Sequence, residues 1–386
     1  MYNPNQEKTM AILIKTVTTR KDLKTFVRFG NKLYKGNKYY VPSMPFDDLN
    51  TLDKNINAAF EFCESEYYLA YKDGALVGRV AAIINYKANE SWKVNQVRFG
   101  WIDFIDDIEV STALLDAVIA FGKSKGMTQI VGPLGFTDFD PEGMLVEGFD
   151  RISTMALIYN HPYYPEHMKK LGYQKETEWG EYRITIPETL PDRHRQLAKI
   201  VMERNNLKIR KLTLKQIKKE RYGQKLFQLI NQTYCILYGY SVLSEKQIDQ
   251  FVATYLSLID ARMLTFIEDE KGDLIAAGIS MPSIAEALQK CRGEIFPFGW
   301  WYLLKTMFIK RSDTVELLLI GVRPDYKNKG IPTILICDLI ETYNKLGFRY
   351  AETNAMLETN TAVRSLWTPF EHVQHKRRWI FGKEIE

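Results

Sequence analysis

The stretch whose reading decides the fold is VRPDYKNKGIPTIL, residues 322–335. It follows an apolar run, 315–322, that reads as a strand. It then opens into a helical pattern over 331–346 that ends at Gly347. A helix start leaves backbone N–H groups without partners and carries partial positive charge, so an anion bound there satisfies both. Lys327 and Lys329 add full charges, and Gly330 lets a ligand come close to the backbone. Gly321, just before the turn, is a position for a bulge that splays the strand. Two readings stay open on these residues alone: a phosphate cradle, or a plain helix start in which Pro332 is at home in the first turn.

Working outward, the same order of elements is met twice. In the second half, 207–213 reads as a strand, 216–234 as a helix, and Ser244 with Gln247 as a capping box. Residues 263–281 form a hairpin around 270–272, and 350–357 form a last strand. In the first half, 12–18 is a strand, 21–34 a helix, 67–85 a hairpin turning at 72–74, and 99–105 a strand. There 110–125 is an amphipathic helix closed by Gly126, and 128–132 is a strand. Each half thus reads β-α-α-β-β-β-α-β, with a parallel crossover unit at its end. Two prolines in IPETLPDR set the boundary, giving domains 1–190 and 191–386. The second half also carries an insertion, 284–311, whose aromatic run IFPFGWWYLL (295–304) reads equally as a flap or as a core helix.

Bulk properties narrow the field. The chain has 386 residues, 52 Lys and Arg against 47 Asp and Glu, and a net charge of +5. That mild excess suits anionic small molecules and argues against nucleic acid, which needs clustered basic stripes. No apolar run reaches the length of a membrane span, and the first residues lack an apolar signal core, so no membrane partner is expected. Cys63, Cys235, Cys291 and Cys337 are scattered without metal or disulfide spacing, which makes a reducing cytoplasm the expectation. The five histidines show no paired ligand spacing, and no metal is expected.

The second half resembles the GNAT superfamily of acyl-CoA N-acyltransferases, and the repeated order makes the whole chain resemble a tandem GNAT protein. Val322-Arg323-Pro324 matches the family's V-x-P turn, residues 327–332 match its pyrophosphate loop, and Glu358-Thr359-Asn360 matches its E-x-N signature. The resemblance implies an α/β fold of two domains, each a mixed, largely antiparallel sheet flanked by helices. It implies that acetyl-CoA or another acyl-CoA is bound as co-substrate by Val322, Lys327, Asn328, Lys329, Gly330, Ile331, Thr333 and Asn360. Three positions depart from the pattern. Pro332 removes one amide donor, Lys327 replaces a glutamine or arginine, and Trp367 stands where many members have a proton-donating tyrosine. In the first half the equivalent stretch, WIDFIDDIEVSTAL (101–114), has no glycine. Asp103, Asp106, Asp107 and Glu109 there would repel a pyrophosphate, so this half is expected to lack the cofactor site.

For the chemistry, Glu316 is the candidate base; it also reads as an outward polar residue on an alternating strand. Asp138, Asp140 and Glu142 lie among aromatic residues in a glycine-rich loop after a strand, which suits an amine acceptor and equally a solvated acidic loop. The run 375–378, His-Lys-Arg-Arg, reads as a charged, exposed sheet edge or as a contact for a phosphate. The leading function is an acyl-CoA-dependent N-acyltransferase acting on a small-molecule or peptide amine. The alternatives are a catalytically inactive GNAT-like binding protein, and a Fem-type aminoacyltransferase, which the modest charge disfavours.

Overall fold

The computed structural model describes residues 11–256, 259–309 and 312–385. Its strands are β1 (Leu13–Thr16), β2 (Cys63–Lys72), β3 (Ala75–Asn85), β4 (Gln96–Phe104), β5 (Gln129–Gly132), β6 (Met144–Glu147) and β7 (Gln174–Thr185) in the first half. The second half has β8 (Lys208–Arg210), β9 (Leu264–Glu268), β10 (Leu274–Pro282), β11 (Thr314–Val322), β12 (Tyr350–Thr353), β13 (Met356–Leu357) and β14 (His372–Glu384). They form one sheet with the path β1-β2-β3-β4-β5-β14-β7-β12-β11-β10-β9-β8; β6 joins at β14 and β13 at β7.

Read from either edge, that path is the same. Five strands of a half are followed by the last strand of the other half. β14 pairs antiparallel with β5 of the first half, and β7 pairs antiparallel with β12 of the second. The two exchanged strands pair with each other along nearly their whole length. Only β4/β5 and β11/β12 are parallel, and each pair is bridged by a helix, Ile108–Ser124 or Ile331–Leu346. A parallel pair needs such a crossover, which covers one face of the sheet.

The exchange places charge where the sequence reads an edge. Residues 375–378 are not at an exposed edge, because β14 runs through the middle of the sheet. Lys376 and Arg378 are fully buried and both pair with Glu181 of β7. Arg378 also donates to the carbonyls of Gly143 and Ile158, so a strand of the second half ties down a loop of the first. The alternation of the run is genuine, but its charged side faces a buried carboxylate instead of water.

Two further elements differ from the sequence expectation. The helix read over 216–234 is broken into Leu214–Lys219 and Tyr222–Tyr234, with Arg221 at φ 55° between them. The strand read over 350–357 is split into β12 and β13, which pair with β7 at different places. The insertion is neither a core helix nor a single flap. It folds as helices Ala285–Cys291 and Gly299–Leu304 and a π turn Lys305–Ile309, buried through Ala285, Leu288 and Met307.

Candidate functional site

β11 is the strand on which the site is built. It follows β12 in parallel register only from Thr314↔Tyr350 to Leu317↔Thr353. On its other side the register with β10 slips, because Ser280 faces Leu317 while Ile279 faces Leu319. Leu318 is therefore an extra residue, a bulge that increases local twist and bends the strand. Beyond it β12 ends, and Leu318, Leu319, Ile320 and Val322 are only half buried. The sequence reading put the bulge at Gly321. The structure moves it three residues back, and Gly321 instead gives Ile230 and Thr233 of the neighbouring helix room to pack.

The loop from Val322 leads to the helix Ile331–Leu346. Arg323 folds back on Asp325 at 2.7 Å, and Lys329 lies over the Tyr326 ring at 4.2 Å. Asn328 and Gly330 adopt φ 65° and 79°, a left-handed conformation that glycine takes without strain. Gly330 is the N-cap, and no side chain caps this helix. Among the described residues, no partner takes the N–H groups of Asn328, Gly330 or Ile331. Lys327, Asn328 and Lys329 are exposed around them, whereas the Ile331 side chain is buried in the core. The Thr333 N–H already donates to Gly330 O at 3.1 Å. An uncapped helix start with free amides and two lysines fits a diphosphate.

Asn360 is placed elsewhere in role: its side chain caps the short helix Thr361–Arg364 by accepting from Val363 N at 3.4 Å. Trp367 is buried in the core of the second half, and its indole N–H has no partner.

Glu316 is 2 % exposed and does not face water. Ser283 Oγ donates to its Oε1 at 2.7 Å, and Oε2 has no hydrogen-bond partner. Burial pushes its carboxyl up to about 7; the Ser283 hydroxyl, Lys376 and the Met155 backbone act against that rise. A carboxylate poised near neutrality is suited to accept a proton from an amine. Ser283 comes from the start of the insertion and Met155 from the first half, so both halves wall this residue.

Asp138, Asp140 and Glu142 are half buried at the seam between the halves. Burial raises Asp138 to about 6, against the pull of Arg98; it raises Asp140 to about 7 and Glu142 well above the usual glutamate range, and the charge of Asp138 adds to the rise of both. Asp138 and Glu142 each keep one buried oxygen without a partner. Their neighbours are Arg98, the 238–241 turn and one another, while those of Glu316 are Ser283, Lys376 and Met155; the two sets are separate. The link between them is apolar: Phe139 packs in one cluster with Leu318, Leu319 and Tyr234.

Tyr234 was not singled out by the sequence. Its hydroxyl donates to Ile320 O at 3.0 Å and accepts from Ile320 N at 3.4 Å, on the side of β11 that β12 leaves open. Burial pushes it up to about 12, so it keeps its proton at neutral pH. One tyrosine among 22 carries no local signal, and only the meeting of a helix end with a strand edge selects it.

No family model matches the chain. A relative from Escherichia coli, Protein YghO, is 27% identical over 385 residues, covering 97% of this chain and 95% of that one. Bacterial ceramide synthase from Caulobacter vibrioides is 23% identical over 377 residues, covering 96% of each. Among solved structures, a tandem GNAT protein from the clavulanic acid biosynthesis pathway superposes with a TM-score of 0.54 at 10% identity, covering 97% of this chain and 99% of that one. A GCN5-related N-acetyltransferase from Sphaerobacter thermophilus gives a TM-score of 0.52 at 10% identity, covering 97% and 96%. The chain has the tandem GNAT fold. Among the described residues no helix is long and apolar enough to cross a membrane, and no cluster of ligating side chains could hold a metal ion.

Proposed function

We propose that the chain is an acyl-CoA-dependent N-acyltransferase whose one acyl-CoA site lies on the second half. The observation that carries this reading is the uncapped start of the helix Ile331–Leu346, next to a strand that is bulged and parted from its parallel neighbour. Asn328, Gly330 and Ile331 would hold the diphosphate through their N–H groups, with Lys327 and Lys329 as counter-charges. Pro332 contributes no N–H, so the cradle relies on the residues before it. When bound, acyl-CoA supplies a thioester carbonyl for transfer to nitrogen.

The remaining work falls to this chain's own side chains. Glu316 takes the proton that the ammonium form of the acceptor must lose before its nitrogen can attack. The Ser283 hydroxyl fixes the Glu316 carboxyl in place. Tyr234 is the protonated hydroxyl at the open edge of β11, and it would leave Ile320 O to return a proton to the departing sulfur, the role that Trp367 cannot fill. Asp138 supplies negative charge on the first half for an amine-bearing acceptor, and the protonated Glu142 and partly protonated Asp140 beside it offer hydrogen bonds.

The relative named bacterial ceramide synthase extends this proposal to the acceptor. Ceramide formation joins an acyl group to the nitrogen of a long-chain amino alcohol, so the acceptors to test include long-chain amines. The experiment is release of free CoA thiol from acetyl- and long-chain acyl-CoA, with a panel of short and long amines. Turnover with any of them supports the reading. CoA binding without turnover on the whole panel supports instead a ligand-binding protein, the reading that buried Trp367 favours.

A further inference from the structure

The insertion carries a run of exposed large apolar side chains. Phe296 and Phe298 are each 75% exposed, Ile309 66%, Phe308 52%, Trp301 50% and Trp300 43%, all within residues 296–309. Single exposed apolar residues are ordinary, but a contiguous set of large ones marks a contact surface. The segment is anchored from below. Leu303 and Met307 pack with Met281 and Leu288 on one side and with Val41, Met44 and Met155 of the first half on the other. Among the described residues, the aromatic side chains of the outer face stay exposed.

We propose that this face docks the protein on an anionic lipid surface. Three observations select a bilayer over other occupants. The exposed side chains are chiefly aromatic, and tryptophan and tyrosine prefer the headgroup level, where an apolar ring and a polar edge are both accommodated. Residues 295–309 contain no Asp or Glu, and the exposed Lys305 among the aromatic side chains gives the patch the sign that anionic headgroups attract. Glu294, at its border, is neutralised by Arg28 at 3.0 Å. The short helix Gly299–Leu304 and its π turn cannot span a membrane, so the segment lies in the interface with its aromatic side down.

The position of the patch gives this docking a use. The insertion starts beside Ser283, the residue that holds Glu316, and its underside packs against Leu318 of the bulge. A long-chain acceptor or acyl group leaving the bilayer at the patch would meet the acyl-transfer site directly. That last clause rests on the acyltransferase reading; the docking itself does not. Docking needs no spanning helix, because a surface segment requires neither length nor continuous apolarity.

The test is flotation of the full chain with vesicles of phosphatidylcholine alone and with phosphatidylglycerol added. A variant carrying Phe296→Ser, Phe298→Ser and Trp301→Ser is compared with it, and a second carries Lys305→Glu. The wild type is expected to float with the phosphatidylglycerol vesicles and to be partly released by salt. The triple variant should partition at least about tenfold less, with unchanged circular dichroism and unchanged CoA affinity. Lys305→Glu should weaken binding to the anionic vesicles only. Equal flotation of wild type and triple variant, or no flotation of the wild type, overturns the proposal. So does a wild-type dimer that the triple variant dissolves in sedimentation without any vesicle binding, which would make the patch an interface between two copies. Loss of turnover with flotation intact would instead bear on the enzymatic reading.

Discussion

The two halves are built on one plan and differ at the four points where a cofactor site would be decided. Both β4 and β11 are nine-residue strands with a one-residue bulge, and both part from a parallel neighbour after the first few pairs. At the helix that follows, Asp107 caps the first half's start by accepting from Glu109 N, and Lys72 neutralises both acids. The second half's helix has only Gly330 there. At the strand edge, Tyr163 and Tyr164 take the carbonyl and N–H of Phe104, and β4 is buried apart from Gln96 and Trp101; β11 is half open. Where β11 has Glu316, β4 has Arg98, whose guanidinium bonds Gly135 O and Gly239 O and ties the halves together. Where β11 has Gly321 opposite Ala277, β4 has Asp103 in a buried ion pair with Arg79. The fold tolerates a site but does not make one; a few capping and filling residues decide which half is open.

The largest effect is expected at the position where the halves carry opposite charge. Glu316→Gln should lower kcat by about 10²- to 10⁴-fold while CoA affinity is unchanged. The wild-type rate should fall as pH drops below about 7, because the carboxylate is then protonated, and the variant should lose that limb. A wild-type profile flat from pH 6 to 8 would remove Glu316 from the mechanism. The same raised pKa means the folded chain holds this proton between the ordinary carboxylate range and about 7. Stability then declines as pH rises through that window, and Glu316→Gln should abolish the decline in thermal melts.

Next comes the seam that the exchanged strands create. Glu181→Gln leaves Lys376 and Arg378 buried without a countercharge and should cost about 3–5 kcal/mol in denaturant unfolding. Lys376 and Arg378 outweigh burial and hold Glu181 down at about 2. Its stabilisation is therefore complete above the ordinary glutamate range and is lost as pH falls toward 2. A variant as stable as wild type would mean that the sheet does not depend on this centre.

Smaller effects are expected on the first half. Asp138→Asn with Glu142→Gln should raise KM for a cationic acceptor several-fold and leave kcat and CoA affinity alone. An unchanged KM would assign the acids to the seam only. Asp107→Ala should cost about 1 kcal/mol as a lost cap and create no second CoA site, since Tyr163 and Tyr164 still close the strand edge. Appearance of a second site would show that the cap alone separates the halves.

Much of this was legible in the sequence, and the rest was not for identifiable reasons. Local signals held where they are strong: helix Ile331–Leu346 between Gly330 and Gly347, the hairpin turning at Asp73 and Gly74, and the capping box at Ser244. The acidic stretch 101–114 holds the helix start at Ile108, and Asp107 is its cap. The strand exchange was not legible, because pairing between residues such as Glu181 and Lys376 leaves no local trace. For that reason 375–378 read as an edge although the strand is paired on both sides and Lys376 and Arg378 are buried. Tyr234 and Met155 reach the site only through the packing of elements distant in sequence.

The measurement that bears most directly on the contrast between the halves is calorimetric titration of CoA into the wild-type chain and into Lys327→Glu/Lys329→Glu. One site per chain is expected, weakened at least about tenfold by the double substitution with no change in unfolding temperature. No binding, two sites, or equal affinity in both proteins would contradict the account.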